Sequence, residues 1–237
     1  FVQDAGNATA LTINPATLTY VATPTTSTYG ATPSVNAGTV TGWVNGDTQA
    51  SATTGTALFS STATSASNTG SYAINGSGLT ANNGNYTFVQ DAGNATALTI
   101  NPATLVVSGT KAYDGTTTFT ASNLQASGGV NGETIQVTGG TGATSSVDAG
   151  IYANSPLSNL VISVNSGSAQ ASNYALPTSG TLTITQTNLS ISAVGAKVYD
   201  GSATFTGTAA SGPFTTLTGF VSSDMGSTVT LTASTAN

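Results

Sequence analysis

Apolar and polar residues alternate along this chain in short runs. Leu18, Tyr20 and Ala22 share one face of a two-residue period, and Thr17, Thr19 and Val21 share the other. Residues 17–22 are therefore predicted to form a strand. The same pattern predicts strands over 39–44, 56–61, 70–75, 85–90 and 95–100, then over 116–121, 134–138, 160–164, 174–176 and 181–185. A further set begins with Leu189 and Ile191 and returns at Val229 and Leu231. Tyr29-Gly30, Asn45-Gly46-Asp47, Gly76-Ser77-Gly78 and Asn82-Asn83-Gly84 read as the turns between them. Asn14-Pro15 stops the run before residue 17, because proline has no N–H to give to a ladder.

The pattern repeats. Residues 88–105, FVQDAGNATALTINPATL, are identical to residues 1–18, an offset of 87. Lys111-Ala112-Tyr113-Asp114-Gly115 returns as Lys197-Val198-Tyr199-Asp200-Gly201, and Asn85-Tyr86 returns as Asn173-Tyr174. A period this long is a small domain and not a solenoid coil. The expected organisation is the closing hairpin of a preceding repeat (1–15), a β domain (16–102), a second (103–186) and the first part of a third (187–237). Junctions near 14–17, 101–104 and 186–188 leave linkers of only a few residues, which predicts domains lined up end to end in a stiff rod. Residues 1–13, with Leu11 and Ile13 alternating, are expected to pair as edge strands of a partial domain or with a neighbouring chain.

Composition supports an all-β reading. Hydrophobic residues make up 38% of the chain and charged residues 4%, so Thr, Ser, Asn and Gly must carry the surface. Thr favours strands, and Gly and Asn favour turns. The expected fold is a tandem series of small two-layer β-sandwiches, Ig-like or β-grasp-like, in an elongated rod. The net charge of −6 comes from eight acids and two lysines, Lys111 and Lys197, which makes nucleic acid a poor partner. No apolar run approaches the length of a membrane span, so membrane insertion is not expected. The lack of Cys leaves stability to the cores, as in bacterial secreted rods, and is equally compatible with the cytosol.

Candidate chemistry is sparse. Without His or Cys, His-based triads, Cys nucleophiles and the usual zinc or copper sites are excluded. Asp47, Asp114, Asp148 and Asp200 sit mostly beside Gly or Asn and read as turn formers, and no D-x-D-x-D run offers calcium a site. No catalytic, cofactor-binding or metal residue is expected. The residues singled out are structural. Trp43 is read as a core or domain-junction residue. Tyr113-Asp114-Gly115 and Tyr199-Asp200-Gly201 are read as type I′ hairpin turns. Tyr86 and Tyr174 are expected to bury their rings with the hydroxyl on a backbone partner, as in a tyrosine corner. Lys111 is read as solvated or Asp-paired, with an isopeptide bond assisted by Glu133 as the rarer alternative. Sequons at Asn7, Asn75, Asn85, Asn94 and Asn188 are expected by chance in a chain so rich in Asn and Thr.

The first domain, with Thr28-Tyr29-Gly30-Ala31-Thr32-Pro33, Asn45-Gly46-Asp47, Gly70-Ser71-Tyr72-Ala73-Ile74, Gly84-Asn85-Tyr86 and Leu98-Thr99-Ile100-Asn101-Pro102-Ala103, resembles the MBG repeat. The second, with Lys111 to Phe119, Asp148-Ala149-Gly150-Ile151-Tyr152 and Ser172-Asn173-Tyr174-Ala175-Leu176, resembles the YDG repeat, whose opening returns at Lys197 to Gly201. The resemblance implies the stalk of a very large secreted bacterial adhesin of the filamentous-haemagglutinin type, exported by a two-partner system. It implies spacer repeats at the cell surface, with neighbouring repeats of the same chain as partners and no catalytic residues. Two alternatives stand beside it: repeats that themselves bind glycan or matrix polymer, and a self-associating extracellular fibre joined through strand edges.

Overall fold

The computed structural model describes residues 2–165, 169–188, 190–192, 204–208, 216–218 and 228–232. The described residues are all-β apart from short 3₁₀ turns and one helical turn, and the chain forms two compact units that do not follow chain order. Unit 1 takes the residues up to Thr104 together with two later segments, Gly129–Glu133 and one that ends at Ala175. Unit 2 takes Leu105–Gly128, Thr134–Asn165 and the residues from Leu176 onward.

In unit 1, strands far apart in the chain are parallel neighbours. Strand β1 (Ala16–Ala22) lies between β3 (Gly38–Thr41) and β7 (Tyr86–Gln90), parallel to β7, with Ala16 opposite Tyr86. Across Thr23-Pro24 the chain continues as β2 (Thr25–Thr28), parallel to β8 (Leu98–Asn101), whose other neighbour is β5 (Gly70–Tyr72). This departs from the all-antiparallel sheets of an Ig domain. The break between the two parallel pairs is closed by one buried amide. Asn94 accepts from the Ala22 N–H (2.8 Å), a backbone donor that the ladder misses, and donates to the Tyr20 carbonyl (2.9 Å), which also takes the Asp91 N–H.

A second layer, β4 (Thr53–Ser60) with β6 (Asn75–Ala81), covers β1. Tyr20 meets Phe59 edge to face and stacks on Phe88, and the Leu79 N–H donates to its hydroxyl. Gly76-Ser77-Gly78, expected as a turn, lies inside β6. A Cβ on Gly76 would stand 2.4 Å from the Tyr20 ring, so the glycine marks a close approach and not a reversal.

Residues 2–13 form no strand with the rest of this chain, where edge strands were one expectation. They keep the 3₁₀ turn Ala5–Thr9 with its Asp4 cap, the same turn that their identical copy makes at Ala92–Thr96 with Asp91. Leu11 and Ile13 are 83% and 87% exposed, whereas Leu98 and Ile100 in β8 are 0% and 3% exposed.

Unit 2 is built on one six-stranded sheet. In order across the sheet, its strands are β11 (Thr118–Thr120), β13 (Thr134–Ala143), β14 (Gly150–Asn165), β16 (Ser179–Thr185), β10 (Val106–Ala112) and β12 (Leu124–Ser127). Val107, Phe119, Leu124, Val137, Leu157, Leu182 and Ile184, drawn from all six strands, form a single buried cluster, so the sheet curls around its own inner face. The bend is in β14, which pairs with β16 through Pro156 and with β13 from Leu157. The alternation rule detects only the end of this sixteen-residue strand, because Asn154 (φ 53°), Pro156 and Asn159 (φ 52°) interrupt the residues before 160. The first and last strands of this sheet, β10 and β16, run parallel, as β1 and β7 do in unit 1. Two further pairs are described: β17 (Ser190–Ser192) with β19 (Thr216–Thr218), and β18 (Thr204–Thr208) with β20 (Thr228–Thr232).

Candidate functional site

Two four-residue turns in unit 1 share sequence and conformation. Val44-Asn45-Gly46-Asp47 has φ of 57° and 76° at its central residues, and the Asp47 N–H bonds the Val44 carbonyl at 2.9 Å. Val130-Asn131-Gly132-Glu133 has 55° and 77°, and the Glu133 N–H bonds the Val130 carbonyl at 2.9 Å. Both have the positive φ pair of a type I′ turn, which Asn-Gly adopts at least cost.

Each turn is held by a tyrosine. The Tyr86 hydroxyl accepts from the Val44 N–H (3.2 Å) and donates to Asp47 Oδ2 (2.7 Å). The Tyr174 hydroxyl accepts from the Val130 N–H (3.0 Å) and donates to Glu133 Oε2 (2.5 Å). Both rings are buried. The register repeats as well: Ala103 of β9 (Ala103–Thr104) lies opposite Tyr174 of β15 (Tyr174–Ala175) in a parallel pair, as Ala16 lies opposite Tyr86. Both phenols are raised above their ordinary value. Tyr86 is raised above its ordinary value by the hydrogen bond to Asp47 and then by burial. Tyr174 is pushed to about 12, by burial first and then by Glu133.

The second turn carries an additional layer. Tyr29 donates to the other oxygen of Glu133, Oε1 (2.5 Å), and meets the Tyr174 ring edge to face. Its own phenol is raised, chiefly by burial. Its N–H donates to the Asn101 carbonyl at 2.8 Å. Gly30 (φ 90°) lies flat on Val130, where a Cβ would stand 2.6 Å from the valine side chain. Asn131 Nδ2 donates to the Ser65 carbonyl (3.1 Å), and Asn173, fully buried, accepts from the Thr69 N–H (3.0 Å) and donates to Asn68 Oδ1 (2.8 Å). The resemblance between 44–47 and 130–133 was readable as V-N-G-acid in both repeats. The role of Glu133 was not, because its two phenol partners stand 104 and 41 residues away.

Trp43 is half-buried; its ring meets Tyr86 edge to face (5.7 Å), and its Nε1 donates to the Val40 carbonyl. Two other tyrosines carry the bond expected of a tyrosine corner: the hydroxyls of Tyr72 and Tyr152 each donate to a carbonyl four residues upstream, at Asn68 and Asp148 (both 2.7 Å).

Tyr113-Asp114-Gly115 is not a type I′ hairpin. Only Gly115 has positive φ (74°), and the strands on either side of it pair elsewhere, β10 with β12 and β16, and β11 with β13. The motif instead closes over a buried lysine. Lys111 is at an inward position of β10, where its ammonium donates to Asp114 Oδ1 (2.7 Å), to Thr116 Oγ1 and carbonyl, and to the Thr118 carbonyl, over the face of Phe119. Asp114 also accepts from the Thr116 N–H and hydroxyl. The hydrogen bond from Lys111 lowers the Asp114 carboxyl from 3.8 to about 2. Tyr199, Asp200 and Gly201 lie outside the described residues. No group of three or more His, Cys, Asp or Glu that could hold a metal occurs among the described residues, and no helix among them is long and apolar enough to cross a membrane.

Residues 18–96 match the model of the MBG domain, YGX type, and residues 94–182 match the model of the YDG domain. Tyr29-Gly30-Ala31 has the form that the first description names. Neither a curated protein nor a solved structure matches the chain.

Proposed function

We propose that this chain, which carries an MBG domain of the YGX type followed by a YDG domain, is stalk from a large secreted bacterial surface adhesin. Its role in this reading is reach: serial β domains hold an adhesive region away from the cell, at the cell surface, in attachment or biofilm. The role is mechanical and not catalytic, and the partners are neighbouring repeats of the same chain. The observation that carries the reading is that the same tyrosine-held turn occurs in both repeats, at Tyr86/Asp47 and Tyr174/Glu133, with hydroxyl and carboxylate bonded to each other. In each repeat the phenol–carboxylate bond serves to fix a loop, which is a structural use of both groups.

The experiment is to display different numbers of copies of the chain between a cell-surface anchor and one fixed binding module. Adhesion through a surface polymer layer should rise with copy number, and the purified chain alone should bind no glycan on an array. Specific glycan binding by the purified chain would move the adhesive role into the repeats.

A further inference from the structure

The face around Glu133 is covered, and its twin around Asp47 is open. Tyr29 and Gly30 cover Asn101, Val130, Glu133 and Tyr174. The counterparts in the first repeat, Asn14, Val44, Asp47 and Tyr86, line a concavity of about 290 Å³ together with Ile13 and Asn85. Glu133 uses both carboxylate oxygens on phenols, whereas Asp47 uses Oδ2 on Tyr86 alone. Asn173 is fully buried against Asn68 and Thr69, and its counterpart Asn85 is exposed. Trp43, which replaces Gly129 of the second repeat, packs on Tyr86 but does not line the concavity, so the seat is not filled from within. Beside it, Leu11 and Ile13 expose the side chains that the identical Leu98 and Ile100 bury in β8.

We propose that this face is a socket for the Tyr-Gly turn of another MBG repeat, one whose last strand is residues 11–13. The occupant's tyrosine would donate to the free oxygen of Asp47 and set its ring edge against Tyr86. Its glycine would lie on Val44, and its strands equivalent to β2 and β5 would flank 11–13. The identity of 1–18 with 88–105 supplies the same approach to the socket that leads to the covered face. The inference rests on the serial arrangement of repeats and not on the adhesive role, so the display experiment can fail without touching it.

The test adds residues 16–87 ahead of Phe1, a seamless junction because 1–18 repeats 88–105. In the extended chain, amide hydrogen exchange at Leu11, Thr12 and Ile13 should slow by about tenfold or more relative to the original chain. Asp47→Ala, and separately Tyr29→Phe in the added copy, should each return part of that protection. Asp47→Ala in the original chain should leave exchange at 11–13 unchanged. Failure of the added copy to fold overturns the proposal, because 11–13 would then not complete its sheet. A folded copy that ignores both substitutions overturns it too, since the socket would be empty. Protection of 11–13 in the original chain that grows with protein concentration would assign the face to a second copy of this chain and would likewise overturn it.

Discussion

The rings of Tyr29 and Tyr174 meet edge to face with centroids 5.6 Å apart, and their hydroxyls hold the two oxygens of one carboxylate, Glu133. Burial raises both phenols, and Glu133 raises them further. A phenol whose folded pKa is raised stabilises the fold fully below its ordinary value, and that contribution is lost as pH climbs through the folded value. Stability should therefore fall between about pH 10 and about pH 12, the value to which Tyr174 is pushed. Urea midpoints across this window, with phenolate absorbance followed in parallel, check it. Glu133→Gln should cost about 1–3 kcal/mol at neutral pH, since each lost bond was made to a charged group.

Gly30 should not tolerate a side chain. Gly30→Ala meets both a φ of 90° and the Val130 side chain. The expected cost is about 2 kcal/mol or more. In a double-mutant cycle Val130→Gly should recover the contact part of this and leave the backbone part, whereas Val130→Ala should recover less, because its Cβ still stands 2.6 Å from the added methyl.

Tyr86→Ala should lower the melting temperature by more than about 5 °C, and Tyr86→Phe by less, because the phenylalanine keeps the ring on Trp43 and loses only the hold on Val44 and Asp47. A tyrosine used only to grip a ligand would leave the melting temperature unchanged in both variants.

Asp114→Ala should cost about 1–3 kcal/mol at neutral pH by removing a carboxylate partner of buried Lys111. The carboxyl is lowered from 3.8 to about 2, so its contribution is present above about pH 4 and disappears as pH falls toward 2. Acid titration of stability for wild type and Asp114→Asn should diverge above that window and converge below it.

The two copies of the eighteen-residue repeat permit an internal control. Leu98→Ala should cost about 2–5 kcal/mol, and Leu11→Ala less than about 0.5 kcal/mol, because Leu98 is buried in β8 and Leu11 is exposed. Equal effects in chemical denaturation would mean that 11–13 is packed in solution.

Much of the architecture was legible in the chain: an all-β fold, repeats, the 17–22 strand and the Asn-Gly turn at 45–46. What alternation missed was strand whose identity depends on neighbours. Gly76-Ser77-Gly78 looks like a turn until Tyr20 is seen against Gly76. Tyr113-Asp114-Gly115 looks like a hairpin until its flanking strands pair elsewhere and Lys111 turns inward. The acid of V-N-G-Asp/Glu looks like a turn former until a phenol arrives from a distant segment.

The repeated segment separates the two kinds of information. In both copies Asp4 or Asp91 accepts from the N–H two residues on, at 2.7 and 2.8 Å, and the same 3₁₀ turn follows. That bond spans two residues and needs nothing but the local sequence, so identical letters give identical structure. Leu-Thr-Ile-Asn becomes a strand only at Leu98–Asn101, where β2 and β5 offer backbone partners and a core covers Leu98 and Ile100. At 11–13 the same letters stay irregular and exposed, because a ladder bond and a buried face must be supplied by other segments of chain.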